Sequence, residues 1–524
     1  MTQVPPLRQA GVLLHPTSLP GPHGCGDLGP AAFHFIDWLA TAGQSLWQVL
    51  PLTPVGPGHS PYASVSAFAG SPLMVAFEPL IERGWMQAPD PQLLASFDPA
   101  RVDFERVAPW RMARLREAEA GFRARAGATD RAAFAAYCAA QAHWLDDYAL
   151  FMALDDGYRA REVWCWTGWD PALARREPQA LAAARRDHAA EIAFWQFVQW
   201  QFAQQWQAVM ARAHARGVQI VGDLPIFVAH HSADCWAHAR LFRLDAQGEP
   251  QVVAGVPPDF FSATGQRWGN PLYDWAAMAR DGFAWWVARV RHELNRADLV
   301  RIDHFRGFAA CWEIPADCPT AIDGHWVEAP GQALFEALQN ALHGALPVIA
   351  EDLGVITPDV EALRDHFGLP GMKILQFAFT GDATHTFLPH NYPANCCVYT
   401  GTHDNDTLLG WWHTATERER GYASAYLQGV GALVAEPGLH WSMIRTAWAS
   451  VARIAICQMQ DVLGLDGTAR MNVPGQLGHW TWRFQWSQVG PEPAERLARL
   501  SATYGRASMD RLPLAAYPAG QAVP

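Results

Sequence analysis

The stretch Leu299-Val-Arg-Ile-Asp303 is nearly continuous in apolar residues and ends on a carboxylate. Its length suits a strand, and unbroken apolar character is what a parallel strand buried on both faces requires. The same pattern recurs at Gly11-Val-Leu-Leu-His15, Ser45-Leu-Trp-Gln-Val-Leu-Pro51, Gln219-Ile-Val-Gly-Asp223, Pro347-Val-Ile-Ala-Glu351, Met372-Lys-Ile-Leu-Gln376, Cys397-Val-Tyr-Thr-Gly-Thr402 and Ala469-Arg-Met-Asn-Val473. Helix-like stretches lie between them, at 30–42, 203–216, 275–295, 331–343, 358–367 and 440–460. Alternating strand and helix signals predict an α/β fold with a parallel sheet, and eight such units predict a (β/α)8 TIM barrel.

The spacing of the runs is uneven. A bare barrel needs about 250 residues, and this chain has 524. The expectation is one catalytic barrel over 1–524 that carries three insertions. The first, about 52–200, is rich in Ala, Arg and Glu and reads as a mostly helical subdomain. The second, about 228–298, contains Gly255-Val-Pro-Pro-Asp-Phe-Phe-Ser-Ala-Thr-Gly-Gln-Arg-Trp-Gly-Asn-Pro271, too rich in Gly, Pro and aromatics for a helix. It reads as an ordered loop subdomain that covers substrate. The third, about 405–440, is smaller. The Ala/Pro-rich tail after about 510 reads as loosely held.

Composition narrows the function. Half the residues are hydrophobic and 17% are charged, which excludes a disordered or fibrous chain. The net charge of −12, with no Lys/Arg-rich run, argues against nucleic acid or an anionic membrane as partner. The nine cysteines form no C-x-x-C pair and read as reduced thiols of a cytosolic protein. Met1-Thr-Gln-Val-Pro-Pro6 resembles no signal peptide, and no apolar run is long enough to span a bilayer. Twenty-five tryptophans are the compositional anomaly. Most are expected in the core, but flat apolar faces with polar rims also suit sugars.

Three carboxylates stand at or just after strand ends: Asp303, Glu351 and Asp404. Barrel active sites are built at that face from several strands. Paired carboxylates suit cleavage of a glycosidic bond, one attacking the anomeric carbon and a second, protonated, giving a proton to the leaving oxygen. Glu351 follows Val348-Ile-Ala350 and adjoins Asp352, surroundings compatible with a raised proton affinity. Arg301 is two residues before Asp303 and so shares its face of a strand, where it can keep Asp303 ionised.

The motifs Gly11-Val-Leu-Leu-His-Pro-Thr-Ser-Leu-Pro20, Ser60-Pro-Tyr-Ala-Ser-Val-Ser-Ala-Phe-Ala-Gly-Ser-Pro72, Gly222-Asp-Leu-Pro-Ile-Phe-Val228, the 255–275 loop, Arg301-Ile-Asp-His-Phe-Arg-Gly-Phe308, Ala350-Glu-Asp-Leu-Gly354, Gly371-Met-Lys-Ile-Leu-Gln-Phe-Ala-Phe379, Thr400-Gly-Thr-His-Asp-Asn-Asp-Thr407 and Ala469-Arg-Met-Asn-Val-Pro-Gly475 carry a resemblance. The chain resembles the 4-α-glucanotransferases of the amylomaltase (disproportionating enzyme) family, within the α-amylase-like retaining enzymes. The resemblance implies a cytoplasmic, cofactor-free enzyme of starch, glycogen and maltose metabolism. It would move a glucan segment from a maltooligosaccharide or starch to the 4-hydroxyl of an acceptor through a covalent intermediate. Asp303 would be the nucleophile, Glu351 the acid/base and Asp404 the transition-state stabiliser. Arg301, His304 and His403 would support the donor sugar, and Asp223 would be structural or sugar-contacting. Tyr62 would stack on the donor ring. Phe261, Gln266 and Trp268 would hold or cover the glucan, and Asn472 would line the groove.

Competing readings are weaker. Gly24-Cys-Gly-Asp-Leu-Gly29 has the dinucleotide spacing, but Pro16, Pro20 and Pro22 precede it and no acid follows the next strand, which argues against an NAD-dependent oxidoreductase. His230-His231 has no partner motif at metal-ligand spacing, and a loop role is expected. An α-glucan hydrolase of the same fold and a glycan-binding protein on an inactive barrel remain as alternatives.

Overall fold

The computed structural model describes residues 8–258, 262–429 and 438–507. Phe261, the leader reading at 1–6, the tail after about 510 and part of the 405–440 insertion lie outside those residues. Twelve strands are present among them. They are β1 (Gln9–Leu13), β2 (Leu46–Gln48), β3 (Gln219–Pro225), β4 (Val252–Val256), β5 (Gln266–Pro271), β6 (Leu299–Asp303), β7 (Ala310–Pro315), β8 (His325–Glu328), β9 (Val348–Ala350), β10 (Gly371–Ile374), β11 (Cys396–Tyr399) and β12 (Ile454–Gln458).

Eight of them close a parallel barrel in the order β1-β12-β11-β10-β9-β6-β3-β2. The apolar runs explain the closure. Strands β2, β9, β11 and β12 are buried at every position, as strands must be when side chains fill one face and helices cover the other. Each fully buried Val, Ile or Leu contributes about 1.5–3 kcal/mol over its exposed state. Most tryptophans also lie in this core, and Trp164, Trp268 and Trp326 are the exposed ones.

One strand assignment is corrected. The eighth barrel strand is Ile454–Gln458, not 469–473, and the helix expected over 440–460 ends at Ala449. Residues 467–469 form a short turn and the rest of that block is loop. The apolar run Ile454-Ala-Ile-Cys457 has no helical or strand period of its own, so only its pairing with β1 and β11 reveals it as a strand.

Between β2 and β3 stand the helices Phe104–Arg125, Ala128–Arg159, Pro178–Asp187 and Ala189–Ala215. They are tied to the barrel loops by buried side-chain amides. Gln199 binds both the N–H and C=O of Gly70 at 2.7 and 2.9 Å, and Gln205 does the same for Ala76 at 2.7 and 3.1 Å. Each amide satisfies a backbone pair that would otherwise be buried without a partner. Within the segment 255–271, expected as a loop, residues 255–256 end β4 and residues 266–271 form β5, both in an antiparallel sheet of order β5-β4-β7-β8. That sheet carries Gln266 and Trp268 toward the end of β6.

Candidate active site

Register places the first three charged residues. In the β3–β6 pair, Asp223 lies beside Arg301 and Pro225 beside Asp303. Neighbours in a parallel ladder point the same way, and residues two apart on one strand share a face. Arg301 therefore meets both acids. Its Nη1 is 2.8 Å from each oxygen of Asp223, and its Nη2 is 2.8 Å from Asp303 Oδ1. The Asp223 side chain is fully buried, whereas that of Asp303 is 29% exposed, so one acid anchors the guanidinium and the other faces the mouth. Tyr62 donates from its hydroxyl to Asp223 Oδ2 at 2.7 Å.

Glu351 follows β9 directly. The Glu351 N–H donates to the Ile302 carbonyl at 3.1 Å, which fixes this residue against the end of β6. His304 has a left-handed backbone, φ 52°, uncommon for a residue with a Cβ. The turn aims its N–H at Glu351 Oε2, 2.7 Å away, while the Leu353 N–H reaches Oε1 at 2.8 Å. Burial pushes the Glu351 carboxyl up to about 7; Arg301 opposes this and the charge of Asp303 adds to it. A carboxyl in that range is a proton donor near neutral pH. Burial holds the His304 ring down to about 4, so it is neutral at the same pH.

Asp404 stands in the turn after β11, outside the ladder. Asn472 donates to its Oδ1 at 2.6 Å, and His403 Nε2 lies 3.4 Å from the same atom. The His403 ring stacks on Tyr62 with centroids 5.2 Å apart and planes 11° from parallel. Burial lowers the proton affinity of His403. At the opposite side, Trp268 meets the edge of His304 at 4.8 Å and donates from Nε1 to Gln266 Oε1 at 3.1 Å.

These contacts join the expected residues into one chain. Gln266 holds Trp268, which meets His304, and His304 holds Glu351; Arg301 joins Asp303 to Asp223; and Tyr62 leads through His403 to Asp404 and Asn472. Sequence reasoning missed two members. Trp480 packs within 5.8 Å of Tyr62 and 5.7 Å of His403. Arg470 binds the Asp404 carbonyl at 2.5 Å and the Asn472 carbonyl at 2.7 Å. Arg470 stood within the quoted 469–475 motif, but reading that motif as a strand hid its role as a loop clamp. Among the described residues, one His/acid group has metal-ligand spacing, His23, Asp27 and Glu78. There the buried Arg111 already supplies a cation, 3.3 Å from Asp27.

A closed (β/α)8 barrel with carboxylates from neighbouring strand ends gathered at its C-terminal mouth defines a barrel enzyme. The family model of the 4-alpha-glucanotransferases, glycoside hydrolase 77, matches residues 14–488. A 4-alpha-glucanotransferase of Thermus thermophilus is 51% identical over 94% of this chain and 98% of its own length. One from a Synechocystis strain is 47% identical over 95% and 98%. Among solved structures, the amylomaltase of Streptococcus agalactiae in complex with acarbose superposes with a TM-score of 0.89 at 36% identity, covering 96% of this chain and 100% of that one. The chain belongs to the 4-alpha-glucanotransferase family and is a glucan-transferring enzyme. No helix among the described residues is long and apolar enough to cross a membrane.

Proposed function

We propose that the enzyme cuts an α-1,4 bond in a maltooligosaccharide or a starch- or glycogen-type glucan and passes the glucosyl segment, with retained configuration, to another sugar's 4-hydroxyl. One observation carries the assignment of roles. Arg301 gives Asp303 a permanent cationic partner, while burial beside Asp303 favours the protonated form of Glu351. Two acids at adjacent strand ends thus occupy different electrostatic surroundings, which is how acid and nucleophile are told apart.

In the first step an Asp303 oxygen bonds to the anomeric carbon as the glycosidic C–O bond breaks, and Glu351 gives its proton to the leaving oxygen. In the second the acceptor 4-hydroxyl gives its proton to Glu351 and attacks the same carbon, releasing Asp303. Two inversions retain the configuration. Asp404, held by Asn472 and the Arg470 loop, binds sugar hydroxyls at the cleavage point. Tyr62 and His403 form a flat stack for the donor ring. Trp268 and Gln266 cover the glucan and keep water from the intermediate. The acarbose complex of the streptococcal amylomaltase supports an oligosaccharide occupant of this groove.

Incubation with maltotriose tests the reading. A ladder of longer and shorter glucans with glucose is expected. Glucose and maltose as sole products would make the enzyme a hydrolase instead.

A further inference from the structure

Cys165 sits before the turn Trp166–Gly168, which follows the long helix Ala128–Arg159, and faces the chain that leaves β3. Its Sγ is 3.7 Å from His230 Nδ1. The other nitrogen of that ring, Nε2, is 2.8 Å from the carbonyl oxygen of Gly248. A carbonyl only accepts, so Nε2 carries the hydrogen and Nδ1 of the neutral ring presents its lone pair to the thiol.

The surroundings fix that arrangement. Trp166 donates from Nε1 to the His230 carbonyl at 2.8 Å, and its backbone N–H donates to His231 Nδ1 at 3.2 Å. His231 in turn donates from Nε2 to Asp155 at 2.9 Å, and Asp155 is paired with Arg159. The charged or titratable groups facing the cluster are therefore His230, His231, Asp155 and Arg159, with Glu249 beside His230 and the buried Cys235 behind.

We propose that Cys165 and His230 form a thiolate–imidazolium pair, and that this pair is a modification site at which hydroperoxides oxidise the sulfur to a sulfenic acid. Burial opposes ionisation of Cys165, but hydrogen bonds at the sulfur, foremost from His230 and also from Thr167, outweigh it and draw the thiol down to about 5. Six of the other cysteines are buried. The two that are partly exposed, Cys138 and Cys318, have thiols raised by burial and neighbouring acids. Cys165 alone joins solvent access to a facing base. In the step proposed, the thiolate attacks one peroxide oxygen, an S–O bond forms and the O–O bond breaks. Sulfur loses two electrons, the peroxide gains them, and the leaving oxygen takes the imidazolium proton of His230 to depart as water or alcohol.

Brief alkylation of the whole protein with iodoacetamide, followed by peptide mass mapping, tests the pair. At pH 6 the larger thiolate fraction outweighs the lower intrinsic nucleophilicity, so Cys165 is expected to react about tenfold faster than Cys138 or Cys318. Its rate should stay flat from pH 6 to 9 while theirs climb. His230→Gln, which keeps a donor for Gly248, should slow Cys165 about tenfold at pH 6 and leave it no slower than wild type at pH 9.5, where the higher-pKa thiolate is the better nucleophile. With hydrogen peroxide and a dimedone probe, the adduct should fall on Cys165. Labelling of Cys165 that tracks Cys318 across pH, or is absent, overturns the pair. Fast alkylation without a dimedone adduct overturns the oxidation. The wild-type pH profile decides the first point even if the variant does not fold.

Discussion

The backbone N–H of His304 donates to Glu351 Oε2 at 2.7 Å, so the strand that ends in the proposed nucleophile also holds the proposed acid. The left-handed turn at His304 makes this possible, because an extended continuation of β6 would carry that N–H past the end of β9. The backbone of His304 thus joins those of Ile302 and Leu353 in holding the proposed acid beside the proposed nucleophile.

That relationship separates the two acids experimentally. Glu351→Gln keeps the shape of the side chain and an acceptor for one of the two N–H groups, His304 or Leu353, but cannot give a proton. Transfer from maltotriose should fall about 10²–10⁴-fold. Transfer from α-glucosyl fluoride, whose leaving group needs little protonation, should fall far less. Asp303→Asn should abolish both, while circular dichroism stays unchanged. Equal losses on the two donors for Glu351→Gln would remove it from the acid's role.

The pH dependence has a defined sign. As the proposed acid, Glu351 would act in its protonated form, and burial with the nearby Asp303 charge pushes its carboxyl up to about 7. Raising the pH through that value deprotonates the acid, so kcat/KM should decline above about pH 7 by roughly tenfold per pH unit. Asp303 and Glu351 interact, so the limb belongs to the pair. A profile that stays level to pH 9 would contradict the assignment.

Arg301 bears on stability as well as chemistry. Arg301→Met leaves the fully buried Asp223 side chain without its cation, and loss of one partner of a buried pair costs about 3–5 kcal/mol. Urea denaturation should show that loss. Asp223→Asn in the same background should restore part of it, since it removes the stranded charge. A double variant less stable than Arg301→Met would refute the pairing as the cause.

Trp268 stands on the edge strand of the side sheet with its ring against His304, 39% exposed. Trp268→Ala opens that side of the mouth to water. The ratio of glucose released to glucan transferred should rise several-fold, on the order of 1 kcal/mol in partition between the two acceptors. An unchanged ratio would show that occlusion lies elsewhere.

The eight-unit alternation and the acids at strand ends were legible in the chain because they rest on local rules. A strand buried on both faces must be apolar, and a charge placed at its end stands out. Strand β6 was bounded without error at Leu299–Asp303, and the shared face of Arg301 and Asp303 followed from the period of a strand. What tertiary structure alone decided was nonlocal. Ile454–Gln458 became the closing strand only because β1 and β11 flank it. The 469–473 block, equally strand-like by composition, became a loop that grips Asp404 through Arg470. A short apolar run has the same burial energy in a helix, a strand or a packed loop, so its neighbours in space choose among them. Trp480 and His304 illustrate the same limit, since each enters the site through a left-handed backbone turn that no side-chain pattern announces.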